Sequence, residues 1–362
     1  MSNKFCGYLS NGYSFNSNQT SNKIQVKPCC WFSNSITLDS DFAKKRDHYK
    51  DIQDWTPACN HCKLQEEAGQ QSLRQSSFDW INNKDHDDPI AIDINLDKTC
   101  NAACVICNDH SSTLWYKEKQ KLKNKSFHIK IDTLNIDNKI NEILQSFDFS
   151  KLRFIKFFGG EPLFTDTHLK FLTQLPNPEN ITVHYTTNGS IFPSLETQAV
   201  WDRFKTIIFS ASLDGTEQQF DYIRWPLTWA KVSENLLCLR AKKLHNVMFR
   251  VEFTVNFLNA WYFDRLQQWV NDNWATNEFN DPTEINVHPC QDIFALTCMP
   301  DQVRAEILKK YPRGHVIHNL VANLPDPLSL DPFNEFINTW ELRRKQDWQQ
   351  SFKEIEYLFQ PK

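Results

Sequence analysis

From Pro89 onward, short apolar runs alternate with longer stretches in which apolar residues recur every three or four positions. The short runs are rich in β-branched and aromatic side chains and read as strands: Ile90 to Leu96, Arg153 to Phe158, Ile181 to Thr187, Thr206 to Ser212, Val247 to Val255 and Glu284 to His288. Between the first two, Ile136, Ile140, Ile143, Leu144 and Phe147 fall at helical spacing, and helical patterns also cover 166–175, 192–204, 228–245 and 261–273. This repeated βα alternation predicts an α/β fold, and six such units predict a parallel sheet curled into a partial (β/α)6 barrel. In parallel α/β sheets the working residues gather in loops beyond the carboxyl ends of the strands.

The flanks differ. Residues 1–88 are rich in Asn, Ser, Gln and Cys with little periodicity, as expected of a small module that needs a metal centre to compensate for a poor core. Residues 291–362 read as Pro-rich loops followed by a helix, in which Phe333, Phe336, Ile337 and Trp340 form a core-packing stripe. The expected organisation is therefore an N-terminal Cys-rich module (1–88), a partial barrel (89–290) and a helical C-terminal tail (291–362).

Composition narrows the class. At 362 residues, 40% hydrophobic and 13% aromatic, the chain has material for one large core or two smaller ones. A net charge of -4, from 40 basic and 44 acidic side chains, gives no general reason to expect nucleic acid or a membrane as partner. Met1 to Thr20 lacks the apolar segment of a secretory signal, and no stretch is apolar enough to span a bilayer, so a cytoplasmic protein is expected. Eleven cysteines in a reducing compartment point to metal or cluster ligation, and eight of them fall in two groups with ligand-like spacing.

The first group, Cys100, Cys104 and Cys107, is a C-x3-C-x2-C loop directly after the first strand. Three thiolates on one short loop suit three irons of a cubane cluster and leave the fourth iron open. The competing reading is a zinc site completed by His110. Gly159-Gly160-Glu161-Pro162 follows the second strand, where glycines permit close backbone approach and a carboxylate can accept hydrogen bonds from an ammonium group.

Taken in order, these motifs resemble the radical S-adenosylmethionine (SAM) superfamily over roughly residues 90–290. The resemblance implies that Cys100, Cys104 and Cys107 ligate a 4Fe-4S cluster whose open iron is chelated by SAM. It implies that Gly159, Gly160, Glu161 and Pro162 hold the SAM amino group. Thr187, Asn188, Ser212 and Asp214 would lie near its ribose and carboxylate, Arg224 would pair with that carboxylate, and Asn256 would add a contact. The residue before the third cysteine is commonly aromatic in the family; here it is Ile106, which still suits packing on adenine.

The second group is Cys6, the pair Cys29 and Cys30, and Cys59-Asn60-His61-Cys62, followed by Glu66, Gly69, Ser72 and Arg74. It resembles the auxiliary-cluster module of the SPASM and twitch subfamilies, which implies a second 4Fe-4S cluster on Cys6, Cys59, Cys62 and one of Cys29 and Cys30. In many relatives this module follows the barrel, whereas here it precedes it, and a structural zinc is the alternative occupant.

Of the remaining thiols, Cys238 is expected to be a buried hydrophobe within a helix. Cys290 and Cys298, after the sixth strand, are the candidates for a catalytic hydrogen-atom donor, against a default of core or loop packing. His184 and His288 read as core or channel histidines, and the tryptophans as packing residues. The function implied is reductive SAM cleavage to a 5'-deoxyadenosyl radical and hydrogen abstraction from a substrate. A peptide is the first choice of substrate, undergoing crosslinking, epimerisation or oxidation, and a nucleoside, nucleotide or other small molecule is the alternative. A reductant such as flavodoxin or ferredoxin would be a partner. The reading from another class is a non-catalytic, zinc-stabilised binding protein.

Overall fold

All six strands expected from the sequence form, within a residue or two of the expected ends. The computed structural model describes residues 6–17, 23–50, 52, 54–67, 71–76, 88–122, 133–274 and 283–359. The strands are β1 (Gly12–Ser17), β2 (Ile24–Lys27), β3 (Ile36–Thr37), β4 (Ala91–Asn95), β5 (Phe154–Phe157), β6 (Thr182–Thr187), β7 (Thr206–Ser212), β8 (Val247–Val255) and β9 (Ile285–Pro289). Among the described residues they form one nine-stranded sheet in the order β3-β2-β1-β4-β5-β6-β7-β8-β9. The pairs β1–β4, β4–β5, β5–β6 and β8–β9 are parallel, while β1–β2 and β2–β3 are antiparallel. The α/β class with a mostly parallel sheet is therefore as expected.

The N-terminal strands were not anticipated. Their signal is present in Gly12-Tyr-Ser-Phe-Asn-Ser, where Tyr13 and Phe15 alternate with Ser14 and Asn16, but the polar composition around it hides so short a pattern. β1 lies in register with β4, Tyr13 opposite Ile92 and Phe15 opposite Ile94, so residues before Pro89 extend the sheet.

The chain divides into two compact units: 1–99, 127–185 and 193–208 in the first, and 100–126, 186–192 and 209–362 in the second. In the first, register builds two apolar rows on one sheet face: Tyr13, Ile92, Ile155 and Val183, then Phe15, Ile94, Phe157 and Tyr185. All eight are buried, under rings that include Phe147, Phe171 and Trp201, with Tyr13 to Phe147 at 5.0 Å and Tyr185 to Trp201 at 5.3 Å. Each such side chain contributes about 1.5–3 kcal/mol on burial. The opposite face carries a polar row in the same register, Ser14, Asp93, Lys156 and His184. Arg46 closes the short helix Gly7–Asn11, its guanidinium donating to the carbonyls of Leu9 (2.7 Å), Gly12 (2.8 Å), Ser10 (3.1 Å) and Tyr8 (3.3 Å).

His168 is buried beside this core, its Nδ1 at 2.9 Å from the Tyr185 hydroxyl. Burial pushes its pKa down from 6.5 to about 4, against a smaller opposing effect of Asp166. The unfolded chain therefore binds more protons in that window, so stability is full above pH 6.5 and falls as pH drops toward 4. A loss of roughly 3 kcal/mol over this range is expected, and His168→Leu should flatten that part of the profile. Urea titrations across the window check it.

In the second unit, β8 alternates buried and half-buried positions along its whole length, and helix Phe263–Trp274 buries Phe263, Leu266, Val270 and Trp274. The tail forms helices Asp301–Lys310, Val316–Ala322 and Asp331–Arg344. Phe333, Phe336 and Trp340 are buried as the stripe predicts, and Ile337 is half-buried. Trp340 meets Trp115 edge-on at 4.8 Å. The Arg344 guanidinium lies 4.3 Å from the Trp115 ring centre and 4.7 Å from that of Trp225, and pairs with Glu118 at 2.6 Å.

Candidate functional site

In the first unit, β4 runs into residues 96–99 and β5 into Phe158 and the two glycines. Gly159 has φ +117°, and a Cβ there would stand 2.1 Å from Asn95 Oδ1; a Cβ on Gly160 would stand 2.2 Å from the Thr99 carbonyl oxygen. The glycines are thus demanded by the chain's own backbone as well as by any ligand. Gly160 N–H donates to the Asp97 carbonyl (3.3 Å) and Glu161 N–H to that of Thr99 (2.8 Å). Glu161 is buried, and its Oε1 accepts the N–H of Leu163 at 3.2 Å, so its carboxylate is set by the loop that carries it. Pro162 is half-buried.

In the second unit, the cysteine loop is pinned by its backbone. Ala103 and Val105 N–H donate to the carbonyls of Trp225 and Ile223, both at 2.8 Å, and Cys107 N–H to that of Cys104 at 3.0 Å. Trp115 Nε1 donates to the Cys104 carbonyl at 2.7 Å, and the Ser112 hydroxyl to that of Ala102 at 2.6 Å. Cys104 is buried; Cys100, Ile106 and Cys107 are half-buried. A fixed loop presenting three thiols, two of them partly open, is the donor set an incompletely ligated cubane requires.

Arg224 sits against this loop with its side chain about nine-tenths covered. Its Nη1 is 3.8 Å from Cys104 Sγ and its Nη2 is in ion-pair contact with Asp214 Oδ2 at 2.6 Å. Burial works against its charge, but Asp214, Cys104 and Cys107 outweigh it and hold the guanidinium above its ordinary pKa. Burial pushes both Cys104 and Asp214 up, and Arg224 opposes each shift. The protein partners of Arg224 are Asp214 and Cys104.

The other expected positions cluster in the loops beyond β6, β7 and β8. Asn188 Nδ2 donates to Asn101 Oδ1 at 2.9 Å, tying that loop to the start of the cysteine segment. Thr187 Oγ1 accepts Gly189 N–H at 3.1 Å, and Ser212 is buried at the end of β7. Asp214 Oδ1 accepts Thr254 N–H at 2.8 Å, and Asn256 Oδ1 accepts the N–H of Leu258 and Asn259 at 2.9 and 3.1 Å. Among the described residues, Thr186 Oγ1, Arg224 Nε and Asn256 Nδ2 are buried without a protein hydrogen-bond partner. Buried polar atoms left in that state are where a polar ligand fits. Thr186 and the network through Asn101 and Asn259 were not picked out individually from the sequence, because no spacing rule marks them.

Cys290 and Cys298 are buried, and burial pushes the Cys290 thiol up to about 12. Cys238 corrects the sequence reading: helix Trp229–Ala241 buries Val232, Asn235, Leu236 and Leu239, which turns Cys238 to its exposed side. His110 is exposed. His288 Nε2 lies 2.9 Å from Glu252 Oε2, and the His184 ring meets Phe154 at 6.0 Å.

The N-terminal thiols Cys6, Cys29, Cys30 and Cys59 are half-buried and Cys62 is buried, all within the first unit. Arg74 pairs with Glu66 at 2.5 Å, and Ser72 donates to the same carboxylate at 2.5 Å; Gly69 lies outside the described residues. Among the described residues, no three His, Cys, Asp or Glu side chains stand close enough to share one metal ion. A cubane places each thiolate on a separate iron and calls for a wider set. Among the described residues no helix is long and apolar enough to cross a membrane.

No family model matches the chain, and no curated protein matches it significantly. Solved structures similar to it include native anSMEcpe with bound AdoMet, at 16% identity and TM-score 0.37, covering 71% of this chain and 67% of that one. The polyhistidine-tagged form of anSMEcpe with bound AdoMet gives 16% identity and TM-score 0.39, over 61% of this chain and 58% of that one. Native anSMEcpe with bound AdoMet and Cp18Cys peptide gives 14% and 0.38, over 61% and 58%. This chain thus spans 58% of the length of two of the three. Likeness of this size defines neither fold nor activity; the parallel α/β sheet stands on the strand order itself.

Proposed function

We propose that the chain is a radical SAM enzyme that modifies a peptide. The observation that carries this is the pinned loop of Cys100, Cys104 and Cys107, backed by the largely covered Arg224 cation and followed in sequence by the tightly seated Gly159-Gly160-Glu161 turn. Cys100, Cys104 and Cys107 would hold a 4Fe-4S cluster with one iron open to SAM, a pair that supplies a 5'-deoxyadenosyl radical able to take hydrogen from an unactivated C–H bond.

The chain's own residues would do the rest. Glu161 and the carbonyls of its loop would receive an ammonium group, while Thr186 Oγ1 and Asn256 Nδ2 offer buried polar atoms to a ribose or carboxylate. Beside its contacts with Asp214 and Cys104, Arg224 keeps a buried Nε without a protein partner, which could meet a ligand. The positive charge it holds beside Cys104 favours the thiolate form that ligation needs. The peptide as substrate class, and a flavodoxin or ferredoxin as reductant, follow from the resemblance to auxiliary-cluster subfamilies.

Protein reconstituted without oxygen and given SAM and dithionite should release 5'-deoxyadenosine, measured by liquid chromatography with mass detection. A colourless, zinc-loaded protein that leaves SAM intact would overturn the proposal.

A further inference from the structure

We propose that Arg344 is a positioning residue for the cysteine loop: its guanidinium, set against Trp115 and Trp225, holds in place the two residues to which the backbone around Cys104 is tied. This deepens the function proposed above and rests on it only for what the loop would bind.

Two contacts fix the middle of the loop. Trp115 Nε1 donates to the Cys104 carbonyl at 2.7 Å, and the Trp225 carbonyl accepts Ala103 N–H at 2.8 Å. Arg344 reaches both tryptophans. Its guanidinium carbon lies 4.3 Å from the Trp115 ring centre, 4.7 Å from that of Trp225 and 5.1 Å from that of Trp340. The Arg344 side chain is wholly covered, and its Nη2 pairs with Glu118 at 2.6 Å. Nε and Nη1 are buried without a hydrogen-bond acceptor, so aromatic faces are what surrounds them. Burying a cation on such terms is costly, and an apolar side chain of similar volume would fill the space without that cost. What the guanidinium adds is a flat, rigid cation that stacks on indole faces, which the compact ammonium of a lysine does not.

Arg344 is fixed in its turn. It ends helix Asp331–Arg344, and Lys345 closes that helix in the left-handed region at φ +54°, donating its N–H to the Glu341 carbonyl. Glu341 Oε1 accepts the Tyr222 hydroxyl at 3.0 Å and Trp348 N–H at 2.7 Å, and Gln346 Nε2 donates to the Tyr222 carbonyl at 2.9 Å. The tail is thereby fastened to the segment that leads into Arg224 and Trp225. A cavity of about 320 Å³ borders Trp225 and Arg344, which leaves Trp225 room to move once the guanidinium is gone. A group held by one loop is placed no better than that loop, so a residue of the C-terminal tail sets the precision of the site.

The test uses the full chain stripped of metal and kept reduced without oxygen, so failure of the SAM chemistry leaves it unmoved. Iodoacetamide labelling rates are read cysteine by cysteine by mass spectrometry. The buried Cys104 reacts only as its loop opens, and the buried Cys290 of the same unit reports general loosening. Arg344→Lys keeps a charge for Glu118 but not the stack, and Arg344→Met with Glu118→Gln removes both without stranding a carboxylate. Each should speed Cys104 labelling at least about ten-fold while Cys290 changes less than about two-fold. Equal acceleration of both thiols, or an unchanged Cys104 in either variant, overturns the assignment. Trp115→Phe, which removes the indole N–H, should itself speed Cys104, and adding Arg344→Lys should then raise the rate by a smaller factor than it does in the parent. The full factor would separate Arg344 from Trp115 and overturn the assignment too. If circular dichroism shows the methionine variant unfolded, Arg344→Lys decides; if neither folds, Arg344 serves overall stability and the assignment falls.

Discussion

Cys104→Ala should abolish 5'-deoxyadenosine release, by more than the ~100-fold that loss of an outer partner of a metal site costs. It should also remove about four irons per chain. Cys104 is the central thiol of its loop and the buried one, flanked by the Arg224 guanidinium at 3.8 Å. Its backbone, in contrast, is held by the Trp115 indole and by Cys107, and neither bond needs the sulfur. The variant should therefore keep its circular dichroism while losing metal and activity. Cys238→Ala, at an exposed helix position, should lose neither. Retained iron together with retained deoxyadenosine would remove Cys104 from the site.

Arg224→Leu should cost about 3–5 kcal/mol, the range for removing one partner of a buried ion pair. Asp214 is wholly buried, and with the guanidinium gone the Thr254 N–H and the more distant His288 are left to oppose the cost of its charge. Burial already raises its pKa above 3.8, and losing Arg224 removes the main opposing influence. The folded variant then keeps a proton that the unfolded chain releases, so its stability falls as pH rises and recovers in acid. Urea midpoints at about pH 5 and about pH 8 should differ far more in the variant than in the parent. Asp214→Asn added to Arg224→Leu should restore much of the loss, and a deficit that adds without coupling would show that the two side chains do not act as a pair.

The strands were legible where burial imposes a period. β8 alternates at every position from Val247 to Val255, and its sequence limits and structural limits coincide. β3, with two residues, has no room for a pattern, and Tyr13 and Phe15 of β1 are diluted by polar neighbours. The cysteine loop and the glycine turn stood out as motifs because their residues lie close together in the chain. What those glycines pack against was not, since Asn95 and Thr99 reach them only through the pairing of β4 with β5. Arg224 likewise finds Asp214 and Cys104 through loops whose course no periodicity describes. Cys238 was misjudged because a helix with buried residues on one side still presents its other side to water.

Trp115 grips the Cys104 carbonyl and is itself covered by Trp340 and Arg344, more than two hundred residues downstream. During synthesis the cysteine segment therefore leaves the ribosome well before the helix that braces it. Until residues 340–344 have been made, the cysteine segment lacks the cover that Trp340 and Arg344 give Trp115.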